Sequence, residues 1–190
     1  TMPRLFHSLV ASLLILAHVC LIAQDKAEPK AEPKAVKQPA KAPPARPEPT
    51  VANFKYGSES ERQVFDFWQA KSDKPTPVVL LIHGGGWMGG DKTGYGKNAI
   101  QPLLDAGMSV AAINYRFIPQ AMEQKVEPPV KACLHDAARA LQTLRSKAGE
   151  WHLDPKRVGA TGGSAGACTS LWLALHNDLA HLLSAYDGFV

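Results

Sequence analysis

The sequence predicts an α/β domain with a mostly parallel central sheet and helices on both faces. Three observations point there. Pro77 to Ile82 is a continuous apolar run bounded by proline and glycine, so it has no polar face and belongs inside a sheet covered on both sides. Val130, Leu134, Ala137, Leu141 and Leu144 recur at three- and four-residue steps, the period of an amphipathic helix. Strand-like and helix-like segments alternate, as right-handed crossovers require.

Taken in order, the chain opens with residues 1–23, a short start carrying Arg4 and then Leu5 to Ala23, broken only by His7, Ser8, Ser12 and His18. This is the layout of a secretory signal peptide and predicts periplasmic or extracellular export, with cleavage after Ala23. The alternative is an uncleaved membrane anchor over residues 5–23, since about 19 apolar residues just span a bilayer. Val19 is too bulky for lipidation at Cys20. Residues 24–50 repeat Ala-Glu-Pro-Lys and hold seven of the fifteen prolines, six Lys or Arg and four Asp or Glu. Such a segment buries too little apolar surface to offset its ordering entropy and is expected to be a disordered linker.

Residues 51–190 form the domain and carry 14 positive against 13 negative side chains. The net charge of +4 therefore belongs to the leader and linker. A basic nucleic-acid face is excluded, and a membrane partner arises only if the leader is retained. Strands are expected at Asn53 to Tyr56, at Gln63 to Gln69 and at Pro77 to Ile82. A helix follows from Asn98 to Ala106, ended by Gly107, and then a buried strand from Met108 to Ile113. The long helix from Pro129 should place Lys131, Arg139 and Arg145 in water. A short strand over Arg157 to Thr161 leads into a helix over Ala165 to His176. Cys133 and Cys168 fall inside helices and are expected as half-buried apolar residues rather than a disulfide. No Cys/His spacing suggests a metal, and no cofactor is expected.

The chemistry is concentrated in two glycine motifs. Gly162-Gly163-Ser164-Ala165-Gly166 fits G-x-S-x-G at a strand-to-helix junction. A nucleophile on so sharp a turn needs small neighbours, and the positive end of the following helix favours an oxyanion nearby. His83-Gly84-Gly85-Gly86-Trp87 directly follows the buried strand. Acyl transfer develops a negative oxygen, and unshielded backbone N–H groups stabilise it; losing one such donor typically costs about 3 kcal/mol. Two other readings of the glycines fail. Gly84-x-Gly86-x-x-Gly89 imitates a dinucleotide fingerprint, but the next strand ends at Ile113-Asn114 with no acid for a ribose. In Gly85 to Lys92, Asp91 breaks the register of a phosphate loop. A purely structural loop leaves the second glycine turn, with its central serine, unexplained.

With these motifs the chain resembles the α/β-hydrolase family, and within it the bacterial esterases akin to hormone-sensitive lipase and to the feruloyl-esterase-like group. The resemblance covers about residues 53–176. It also rests on Gly90-Asp91-Lys92, Asn114-Tyr115-Arg116, Asp136, Leu153-Asp154-Pro155 and Arg157-Val158. It implies Ser164 as nucleophile, the N–H groups of Gly85, Gly86 and Ala165 as oxyanion hole, and His83, Gly84, Asp91, Gly162 and Gly166 as support. Tyr115, Arg116 and Asp136 would be structural. The substrate class implied is a small-molecule or polysaccharide-linked ester.

In that family an acid and then a histidine follow the serine on later strands. Only 26 residues follow Ser164. His176, Asp178, His181 and Asp187 come too soon, while His135 and His152 precede it and are expected at the surface. The expectation is therefore the N-terminal part of an α/β-hydrolase domain, truncated after the nucleophile helix, nearly inactive alone, with the Ser164 strand left as an exposed edge. A peptidase of the same fold is an alternative, against which Ala165 stands where a bulky aromatic is usual. A non-catalytic binding domain is another.

Overall fold

The computed structural model describes residues 45–176; the leader, most of the linker, Asp178, His181 and Asp187 lie outside them. Five strands form one sheet: β1 (Val51–Lys55), β2 (Val64–Trp68), β3 (Thr76–Ile82), β4 (Ser109–Ile113) and β5 (Leu153–Gly162), in the order β1-β2-β4-β3-β5. The pairs β1·β2 and β2·β4 are antiparallel, while β3·β4 and β3·β5 are parallel, so β2 alone runs against the other four.

The helices are α1 (Lys97–Asp105), α2 (Ile118–Glu123), α3 (Val130–Ser146) and α4 (Ala165–Leu175). From β3 the chain steps one way to β4 through α1, then reverses past β3 to β5 through α3. Crossovers of one hand that reverse direction lie on opposite faces of the sheet. Accordingly Val78, Leu80 and Ile82 of β3, with Ala111 and Ile113 of β4, pack against Cys133, Ala137, Ala140 and Leu144 of α3. The alternate residues Leu81, Val110 and Ala112 pack with Ile100 of α1 and with Trp68. Each fully buried Val, Leu or Ile among them contributes roughly 1.5–3 kcal/mol, so the doubly covered β3 and β4 are the stable centre. On the antiparallel flank, Trp151 stacks on Phe67 with ring centroids 4.6 Å apart and meets Phe65 edge-on.

Several expectations need correction. The buried stripe of α3 runs through Cys133, Ala137, Ala140 and Leu144, with Leu134 and Leu141 only half-buried. Small residues let this helix lie close to the sheet. Arg139, expected in water, is buried because its guanidinium is bound by Glu59, at 2.8 and 3.2 Å. The cysteines are unequal: both thiols are free, but Cys133 is fully buried and Cys168 exposed. His135 and His152 are half-buried. The strand before the Ser164 turn begins at Leu153, four residues early, and accommodates Pro155 in an irregular stretch on the outermost strand of the described sheet. Ordered contact also begins before residue 51. The Trp68 indole donates to the Pro47 carbonyl (2.9 Å), and the Gln69 N–H donates to the Thr50 hydroxyl (3.0 Å). Among the described residues no helix is long and apolar enough to cross a membrane.

Candidate active site

The two glycine motifs meet because of sheet register. Ile82, the last residue of β3, pairs with Gly162, the last of β5. The loop His83–Gly86 and the turn Gly163–Ser164 therefore leave neighbouring strands side by side, and a Cβ at Gly84 would lie 2.7 Å from the Gly163 carbonyl oxygen and 3.4 Å from the Ser164 Cβ. The loop after β3 leads toward α1 on one face. The turn after β5 leads into α4, which packs against α3 on the other. Such a divergence at the carboxyl ends of parallel strands opens a crevice, the usual ligand site of an open α/β sheet.

Ser164 is exposed and has φ 53° and ψ −122°, a conformation that L residues rarely adopt. The turn is tight enough that side chains at Gly162 and Gly166 would both run into the Ile82 carbonyl oxygen, which explains the small residues at both positions. Ala165 opens α4, so its N–H is one of the unsatisfied donors of a helix N-terminus. Gly85 and Gly86 are exposed, and no described acceptor takes their N–H groups.

The glycine loop is braced from several sides. The Trp87 indole donates to the Thr169 hydroxyl (3.1 Å), which itself donates to the Ala165 carbonyl (2.8 Å), tying loop to helix. Tyr115 donates to the His83 carbonyl (2.7 Å) and stacks on the His83 ring at 4.3 Å. His83 Nδ1 lies 2.8 Å from the Gly84 carbonyl, and Nε2 lies 3.4 Å from an Arg62 nitrogen. A carbonyl only accepts and a guanidinium only donates, so the proton is on Nδ1 and the ring is neutral. Burial, reinforced by Arg62, also lowers the pKa of His83. With both nitrogens engaged, His83 acts as a brace and is closed off as a base for Ser164.

Asp91 accepts from the Thr93 N–H (2.9 Å), the Thr93 hydroxyl (2.8 Å) and Asn114 Nδ2 (2.7 Å), while Asn114 Oδ1 accepts the Lys92 N–H (2.7 Å). Partial burial pushes the Asp91 carboxyl up, but these hydrogen bonds outweigh it and bring its pKa to about 2. Arg62 adds a hydrogen bond to the Gly90 carbonyl (3.0 Å). Arg62 carries no sequence signal for this role, since it lies 28 residues from its partner.

Arg116 and Asp136 form a buried pair joined through the guanidinium (2.6 Å) and the Arg116 backbone N–H (2.9 Å). Gln63 donates to the same carboxylate (2.8 Å). This network joins the β4 end to α3 and does not touch Ser164.

Among the described residues no hydrogen-bond partner reaches the Ser164 hydroxyl. His176 stacks on Trp172 at the far end of α4, roughly 18 Å along the helix axis. His152 lies before β5, on the order of 30 Å away. Among the described residues there is also no group of three or more metal-ligating side chains. The cavities of about 460 Å³ beside Arg116 and His135, and of about 450 Å³ beside Tyr56 and Lys147, are lined by neither the glycine loop nor Ser164.

Comparison with known proteins identifies the family. Residues 66–189 match the sequence profile of the BD-FAE family. Carboxylesterase NlhH of Mycobacterium tuberculosis is 31% identical over 108 residues, covering 57% of this chain and 32% of NlhH. The solved truncated form of a carbohydrate esterase from gut microbiota gives a TM-score of 0.52 at 29% identity, over 63% of this chain and 41% of that one. The thermophilic esterase Est2 of the planctomycete Thermogutta terrifontis gives 0.54 at 25% identity, over 68% and 45%. The chain thus spans about a third of the length of its curated relative NlhH.

Proposed function

The chain belongs to the BD-FAE family, within the α/β-hydrolase esterases, and from that premise we propose that it carries the nucleophile and oxyanion hole of a carboxylic-ester hydrolase. Ser164 Oγ attacks the ester carbonyl carbon and gives its proton to a general base. The carbonyl oxygen becomes an oxyanion that accepts the N–H groups of Gly85, Gly86 and Ala165. When the intermediate collapses, the C–O bond to the alcohol breaks, the alcohol takes the proton, and acyl-Ser164 remains for water to hydrolyse. The base and its acidic partner have to come from residues outside 45–176. Supporting the reading is the Ile82–Gly162 register, which sets the glycine loop against the serine turn.

Export of the protein is proposed with it, carried by the Arg4-led apolar leader. The substrate class is a small-molecule or polysaccharide-linked ester, and the neighbour described as a carbohydrate esterase favours the second. The test is incubation of the protein with p-nitrophenyl acetate, followed by peptide mass mapping. An acetyl group on the Ser164 peptide, formed slowly and without turnover because the described residues supply no base, and absent in Ser164→Ala, is the expected result. Equal p-nitrophenol release by both proteins, with no acyl group on Ser164, overturns the reading.

A further inference from the structure

The far end of the glycine loop is fixed by a cluster centred on one carboxylate. Asp66 of β2 has a side chain only 3% exposed. Its Oδ1 accepts the Asn53 N–H (2.8 Å), and its Oδ2 accepts both Lys92 Nζ (2.7 Å) and Arg46 Nη1 (2.8 Å). Lys92 is nearly as buried, at 6%, and directly follows Asp91 at the loop's end. Arg46 comes from the linker composition, twenty residues before Asp66 and outside the family match at 66–189. Its guanidinium lies over the Trp68 ring, 4.5 Å from the centroid, and Nη2 reaches the Lys92 carbonyl at 3.4 Å. The same Trp68 holds the Pro47 carbonyl.

We propose that Arg46 is a latch that folds the end of the linker onto the domain and, by roofing the Asp66–Lys92 pair and touching the Lys92 backbone, holds the glycine loop in register. As a positioning residue for acyl transfer it rests on the function proposed above; as a clamp on the loop it does not. The physical reason is that Asp66 and Lys92 attract strongly only while water is kept out, and a planar guanidinium stacked on an indole is suited to exclude it. Without that roof, water competes for both charges. The loop then keeps its Asn114, Arg62, Tyr115 and Trp87 bonds but loses the fixed point at its far end.

The experiment uses the full chain as Arg46→Gln and Arg46→Lys. Hydrogen exchange is followed in peptides covering residues 83–92, with a peptide from α3 as the gauge of global stability. Exchange at 83–92 should rise about tenfold in Arg46→Gln, the scale of one lost charge-assisted contact, with α3 unchanged and much of the protection kept by Arg46→Lys. Faster exchange confined to residues 45–50 and 66–68 makes Arg46 a local tie and overturns the proposal. A uniform rise that includes α3 overturns it as well. Phosphonate labelling separates the two readings. If the unsubstituted chain labels at Ser164, the latch predicts slower labelling in Arg46→Gln, and an unchanged rate refutes its link to the site. Labelling is expected to be slow, since the described residues supply no base; if the unsubstituted chain does not label even on prolonged incubation, the acyl-transfer reading fails while the exchange result still decides the latch.

Discussion

Replacing Gly166 by alanine adds a single methyl group at the most crowded point of the site. A Cβ there would run into the Ile82 carbonyl oxygen and lie 2.8 Å from the Ile82 carbonyl carbon and 3.0 Å from the His83 carbonyl oxygen. None of these atoms can swing aside as a side chain would. β3 is paired on both edges at this level, and the Ile82 carbonyl already accepts from the Tyr95 hydroxyl at 2.8 Å. Overpacking costs about 1–3 kcal/mol, and rigid backbone on both sides puts this case near 3 kcal/mol. Alanine returns about 1 kcal/mol through its better helix propensity, leaving a net loss of about 2 kcal/mol. At an m-value of about 2 kcal/mol/M, the urea midpoint of the full chain, followed by circular dichroism, should fall by about 1 M. Gly163→Ala is the control: nothing lies within 4 Å of its Cβ, and its φ is not positive, so its midpoint should move by less than about 0.3 M. Equal shifts for the two variants, or none at Gly166, refute the close-approach argument.

Three other perturbations test different parts of the structure. Asp136→Asn removes the negative partner of Arg116, whose side chain is 8% exposed, and should cost about 3 kcal/mol in urea unfolding; a loss below about 1 kcal/mol would show that Glu59 alone satisfies the guanidinium. For Asp91, the folded pKa is depressed from 3.8 to about 2. Its stabilising contribution is complete above about pH 4 and is lost as the pH falls toward 2, so the gap between the unsubstituted protein and Asp91→Asn should narrow over that window. Its side chain is 44% exposed, so the gap should be small and sensitive to salt; a gap unchanged across the window contradicts the assignment. Under native conditions iodoacetamide should modify exposed Cys168 and spare Cys133, which is fully buried and whose thiol burial pushes up to about 11; mass mapping before and after denaturation reads this directly.

The elements with one-dimensional signals were legible in the sequence. β3 is an unbroken apolar run, and the serine turn has glycines fixed at both flanks, so position and neighbours follow from local pattern. What stayed hidden depends on partners far along the chain. Arg139 reads as a wet-side residue because its partner Glu59 lies 80 residues away, and the face of α3 shifts accordingly. The six residues of α2 are too few to show a period. Composition alone ends the linker at residue 50; it registers that Arg46 is charged and says nothing of the Trp68 ring on which its guanidinium lies. For the site, the motifs were readable one by one. Their meeting was not, because it depends on the pairing of Ile82 with Gly162.

The backbone at residue 164 sets folding against chemistry. A serine held at φ 53° and ψ −122° sits in a region where a side chain costs about 1–3 kcal/mol, and glycine would occupy it with little penalty. A chain chosen for stability alone would put glycine there and run three glycines from 162 to 164. The hydroxyl therefore comes with a backbone cost that glycine would avoid, and the same strained turn leaves Ser164 exposed to solvent.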